Sequence, residues 1–135
     1  MDDVKCRALK AELATQPEPQ VVTIDRYFDG NDDLGSIGCN LVSHPGIALF
    51  RHVLTGLLAH PNVEAVYAQI SELDPGEGCW PFSDTVLVVG AIPLADLQLA
   101  VNALQPDDVG PADQLGVSPV VARRHRAPVS VIWWD

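Results

Sequence analysis

Two short alternations of apolar and polar residues occupy the middle of the chain. Between Val63 and Ser71, Val66, Ala68 and Ile70 fall on one side and Val63, Ala65, Tyr67 and Gln69 on the other. That period of two is the one a β-strand imposes. Asp84–Ala91 is almost continuously apolar from Thr85 onward, which suits a strand covered on both faces. Between them, Asp74-Pro75-Gly76, Gly78 and Pro81 make Glu72–Ser83 an irregular loop.

Outside this unit the period lengthens. Ile47, Phe50, Leu54, Leu57 and Leu58 recur at helical spacing over Pro45–Ala59, with Ser43 as the expected N-cap. Leu94, Leu97, Val101 and Leu104 repeat the pattern behind Pro93, and Pro106 stops that helix. Val21–Phe28 is rich in β-branched and aromatic residues and reads as the strand outside the first helix in chain order, with apolar residues on both faces as in a central strand. Pro128–Trp134 reads as the other, with Val129, Val131 and Trp133 on one face and Ile132 and Trp134 on the opposite one. Cys6, Leu9 and Leu13 predict a short amphipathic helix ended by Pro17 and Pro19.

The order β-α-β-β-α-β predicts an α+β fold, the ferredoxin-like sandwich. Its antiparallel sheet has four strands in the order 4-1-3-2, with two helices on one face. Residues 1–135 are then one domain: a helical appendage over 1–17 and a ferredoxin-like core over 21–135. In that topology Asp29–His44, Glu72–Ser83 and Gln105–Ala127 emerge together. Long loops on a rigid scaffold are where binding is expected.

Composition narrows the function. Hydrophobic residues make up 47% of the chain and charged residues 19%, which is globular. The formal charge of −10 argues against nucleic acid and against an anionic membrane surface, both of which need clustered Lys and Arg. It suits a cationic protein, a divalent metal or a cationic small molecule. The first ten residues hold no apolar run of the kind a signal peptide needs, and no stretch is long enough to span a membrane. Three sparse cysteines, Cys6, Cys39 and Cys79, point to a reducing, cytoplasmic setting.

Ten carboxylates lie in or beside the three loops: Asp29, Asp32, Asp33, Glu72, Asp74, Glu77, Asp84, Asp107, Asp108 and Asp113. Arg123, Arg124, His125 and Arg126 form a basic patch at their edge. The expected recognition set is Asp29, Asp32, Asp33, Asp74, Glu77, Asp107 and Asp108, with Trp80 as an exposed aromatic anchor. Asp29, Asn31 and Asp33 mimic the start of a calcium loop, but Leu34 and Asn40 stand where its glycine and bidentate glutamate belong, so an ordinary turn is expected. Cys39, His44, Cys79 and His125 are the residues for a metal site, without CxxC or HxxxH spacing. There is no phosphate-binding glycine loop, and no cofactor is expected.

The expected function is a non-catalytic protein-binding module, an immunity- or antitoxin-like inhibitor of a cationic partner. The alternative is a small-molecule-binding protein or metal-assisted enzyme using Asp29, Asp33, Cys39, Cys79 and His44 at the same end. One of Trp133 and Trp134 is expected on an open sheet face with Tyr27 and Tyr67, where it would support a homodimer.

Overall fold

A computed structural model describes residues 1–112 and 117–135. The chain is α+β. Helices α1 (Asp3–Leu13), α2 (Ile24–Phe28), α3 (Ile47–Gly56), α4 (Leu94–Val101) and α5 (Pro119–Arg124) surround one antiparallel sheet. Its strands are β1 (Val21–Thr23), β2 (Ala65–Glu72), β3 (Phe82–Val89), β4 (Asp108–Pro111) and β5 (Val129–Trp133). The order across the sheet is β1-β2-β3-β5-β4.

The strand–loop–strand unit is the centre of this sheet. β2 pairs with β3 from Ala65↔Val89 to Glu72↔Phe82, and β5 pairs with the other side of β3. The alternation along β5 behaves as its sequence implies. Ile132 and Trp134 enter the main core, while Val129 and Val131 belong to a cluster on the opposite face.

The ferredoxin-like arrangement is not what this sheet forms. β1 pairs directly and antiparallel with β2 (Val21↔Gln69), so the first two strands run in opposite directions. Val21–Phe28 is also not a single strand, because the chain turns into α2 at Ile24. Ile24, Tyr27 and Phe28 are three and four residues apart and all buried, whereas Asp25 is exposed. The helical period therefore prevails over strand propensity.

Gln105–Ala127 is more structured than a loop. β4 pairs with β5 at the sheet edge, and α5 starts behind Ser118, whose hydroxyl accepts from Val120 N at 3.3 Å, with Pro119 at its first position. Val121 and Ala112 join Val21, Tyr67, Leu87, Val89 and Val131 on the face that the sequence leaves open. α5 thus covers part of that face. Trp133 is 38% exposed beside it, and Trp134 is 2% exposed in the main core. Tyr27 also lies in the main core rather than on the open face.

The main core takes Cys6, Leu9 and Leu13 from α1 together with Phe50 and Leu54 from α3 and Leu97 and Val101 from α4. α1 is therefore packed into the same core as the sheet. Helix α3 is capped not by Ser43 but by Gly46, at φ 102°.

At the end of β3, Gly90 stands at φ 135°, and its amide donates to Pro128 O at 2.8 Å. A Cβ there would collide with the Asn62 carbonyl oxygen, which is backbone and cannot swing aside. Gly90→Ala is expected to cost about 3 kcal/mol or more, from strain and backbone displacement together. Urea unfolding measures it, and an unchanged midpoint contradicts the packing described for this turn.

Candidate functional site

Antiparallel pairing throughout decides which loops share an end. The β2–β3 loop emerges at one end, and the segment entering β5 emerges at the other. The first loop is drawn to the β2–β3 end: Ile37 bridges Ser83 in parallel, and Ser83 N donates to Ser36 O at 2.8 Å. Asp107 and Asp108 reach the same end because Asp108 pairs with Trp133 and Asp107 Oδ2 accepts from Asp135 N at 2.6 Å.

The basic patch does not border this end. His125 Nδ1 lies 2.7 Å from Glu64 Oε1, just ahead of β2, and His125 Nε2 is 2.8 Å from the Tyr67 hydroxyl. Arg123, Arg124 and Arg126 flank His125, so the cationic cluster sits at the opposite end of the sheet. The expectation that they meet requires the last strand to run the same way as β3, whereas β5 is antiparallel to it. Asp113 lies outside the described residues.

The acidic residues of the loop end divide into two kinds. Asp33 faces inward. Its Oδ1 accepts from Gly35 N and its Oδ2 from Trp80 N, each at 3.0 Å, tying the first loop to the second. Beside it, Asn31 Oδ1 accepts from Asp33 N at 2.9 Å, and Asn31 Nδ2 donates to Ser36 Oγ at 3.0 Å. Tyr27 places its hydroxyl 2.8 Å from Ser36 O and 2.9 Å from Pro81 O, and burial pushes its ionisation far above the ordinary phenol range. The calcium-like spacing of Asn31 and Asp33 is therefore that of a loop clasp.

Asp29, Asp32 and Asp74 face outward and meet cations from α1 and from the chain's N-terminal amine. Lys5 Nζ donates to Asp29 at 2.6 Å, Lys10 Nζ to Asp74 at 2.9 Å, and the N-terminal amine to Asp32 at 2.9 Å. The Lys5 hydrogen bond holds the Asp29 carboxyl below its ordinary range and raises Lys5 in turn. Glu77 and Asp108 have no ion-pair partner among the described residues. A groove of about 520 Å³ runs between α1 and the second loop, lined by Arg7, Lys10, Asp74 and Glu77 among others. The sequence offered no reason to place Lys5 and Lys10 here, because α1 reads as a helix apart from the site.

Trp80 is 0% exposed and belongs to the main core, so it is not a surface anchor. The bond from its amide to Asp33 and the one from Tyr27 to Pro81 O fix the backbone on either side of it. Its indole Nε1 has no hydrogen-bond partner among the described residues.

The four residues considered for a metal do not converge. His125 is at the far end. His44 is held between Gly46 N, which donates to its Nδ1 at 2.9 Å, and Ile37 O, which accepts from its Nε2 at 2.8 Å. Cys39 is exposed, and the Cys79 carbonyl accepts from the buried Cys6 thiol at 3.4 Å. Burial pushes that thiol's pKa up. Among the described residues, no three His, Cys, Asp or Glu side chains come together as ligands. Nor is any described helix long and apolar enough to cross a membrane.

The family model described as "Uncharacterized protein YfbO family" matches residues 4–131. The chain belongs to the YfbO family. It is 27% identical over 93 residues to the "Uncharacterized protein YfbO" of Escherichia coli (strain K12), a match covering 68% of this chain. The chain spans 64% of the length of that relative. No solved structure matches it.

The inward and outward carboxylates of this YfbO-family chain differ in what their removal does. Asp33→Ala strands the Trp80 and Gly35 amides and is expected to cost about 1–2 kcal/mol. Asp32→Ala, which loses only an exposed ion pair, is expected to leave the unfolding midpoint unchanged. Equal effects of the two substitutions in urea titrations contradict the division.

Proposed function

We propose that this YfbO-family chain is a non-catalytic binding protein that engages a cationic protein through its loop end. The observation that carries the reading is the segregation of charge. Exposed carboxylates at Asp32, Asp74, Glu77, Asp107 and Asp108 occupy one end of the sheet, and the arginine cluster occupies the other.

Such polarity orients an approaching cation before contact and speeds association in a salt-sensitive way. The α1 cations do not cancel it. Exposed ion pairs such as Lys10–Asp74 are worth roughly 0–1 kcal/mol, so a partner's Lys or Arg can replace them at little cost. The clasp built on Asp33 keeps the loops presenting these carboxylates in a fixed arrangement, which limits the ordering entropy of binding. An immunity- or antitoxin-like inhibitor is the concrete form of this reading. Three free cysteines support a reducing, cytoplasmic setting for it.

The combined variant Asp32→Lys, Asp74→Lys and Glu77→Lys tests the reading, because none of these side chains supports the core. The wild-type protein is expected to retain basic proteins from a host extract at low salt and to release them as salt rises. The variant is expected to lose at least about tenfold in retention while keeping its thermal midpoint. Undiminished retention by the folded variant contradicts a loop-end interface.

A further inference from the structure

β4 is the outermost strand on its side of the sheet, and among the described residues no strand pairs with its outer edge. An edge of this kind presents a row of unpaired backbone donors and acceptors. Natural sheets blunt such edges or use them. Here the edge is short and ends in Pro111, which has no backbone donor, but no described strand covers it.

Two clefts run along it, of about 340 and 290 Å³, and they share Asp108 and Val109. The first lies against the flank of α4. Gln98 and Asn102, four residues apart on one stripe of that helix, line it with Asp107. The second is mixed in character, with Leu94, Val131 and Trp133 as its apolar side chains beside Asp108 and Gly110. Among the described residues, nothing lies within 4 Å of where a Gly110 Cβ would stand. Leu94 and Trp133 are exposed, at 44% and 38%.

We infer that this edge takes an extended, cationic segment of the partner protein as a sixth strand. The inference rests on the reading of the loop end as a surface for a cationic protein, and it names how part of that partner is held. Backbone pairing with β4 would supply affinity without side-chain specificity. The alternation along an added strand would set one apolar side chain against Gly110, Leu94 and Trp133 and its basic neighbours on the opposite face, that of Asp107, with the Asp108 carboxylate beside the path. The amides of Gln98 and Asn102 are placed to bond polar groups along the same path. A second copy of the chain fits this edge poorly. Pairing two copies would bring together two chains that each carry a formal charge of −10.

The probe is a short alternating lysine–valine peptide with blocked ends, titrated into the full chain. Trp133 is the exposed indole, Trp80 and Trp134 being buried, so the peptide is expected to change its emission saturably. Trp133→Phe assigns that signal. Amide exchange over Asp108–Pro111 is expected to slow on binding. Asp108→Lys changes an exposed position and Gly110→Arg a half-buried one with no described atom within 4 Å of its Cβ, and each is expected to weaken binding at least about tenfold. The same peptide N-methylated on alternate residues is expected not to bind.

Three results overturn the inference. One is equal binding of the N-methylated peptide. Another is binding lost in the Asp32/Asp74/Glu77 variant and retained in Asp108→Lys and Gly110→Arg, which would leave the loop-end reading standing. The third is slowed exchange of β4 in the protein alone, accompanied by a dimeric mass, which would assign the edge to a second copy. Retention of basic proteins together with no peptide binding separates failure of the edge from failure of the whole reading.

Discussion

The antiparallel pairing of β2 with β3 is the constraint on which the rest depends. It places their connecting loop at one end of the sheet and fixes every other strand's direction by propagation to β1, β5 and β4. The first loop then docks on that end through the Ile37–Ser83 bridge and the Asp33 carboxylate. Had β5 run parallel to β3, the Arg123–Arg126 segment would have emerged beside the acidic loops. As folded, the chain keeps its two signs of charge apart.

The same pairing explains why one acidic cluster serves two purposes. Asp33 and Asn31 point into the junction between two loops, where backbone amides need acceptors and water has little access. Asp32 and Asp74 point out, where a carboxylate costs nothing to solvate and an ion pair contributes little. Adjacent residues Asp32 and Asp33 thus differ completely in role, although their chemistry is identical. Substituting both at once would confuse the loss of a surface with the loss of the loop that carries it.

Much of the fold was legible in the pattern of residues. β2, β3, β5, α3 and α4 have long, unambiguous periods because each buries one face or both against a continuous core. Val21–Phe28 was not legible as strand-then-helix, since apolar residues at Val22, Ile24 and Phe28 satisfy a period of two while Ile24, Tyr27 and Phe28 satisfy a helical one. β4 was hidden because two of its four residues are Gly110 and Pro111, which usually mark a break; at a sheet edge the missing proline donor is tolerated. The candidate site was legible as a concentration of carboxylates at the loops. Its inward members were not, because the burial of Trp80 and the bond from its amide to Asp33 join residues 47 positions apart. The Lys5 and Lys10 contacts escaped for the same reason.

The most direct test is a nitrogen-15 NMR titration of the intact chain with a short lysine peptide at low and at physiological salt. Shifts confined to the outward loop end, around residues 32, 72–78 and 107–108, and fading as salt rises, are the expected result. Shifts spread evenly over the surface, or centred on α5 at the opposite end, would contradict the assignment of recognition to the acidic loops.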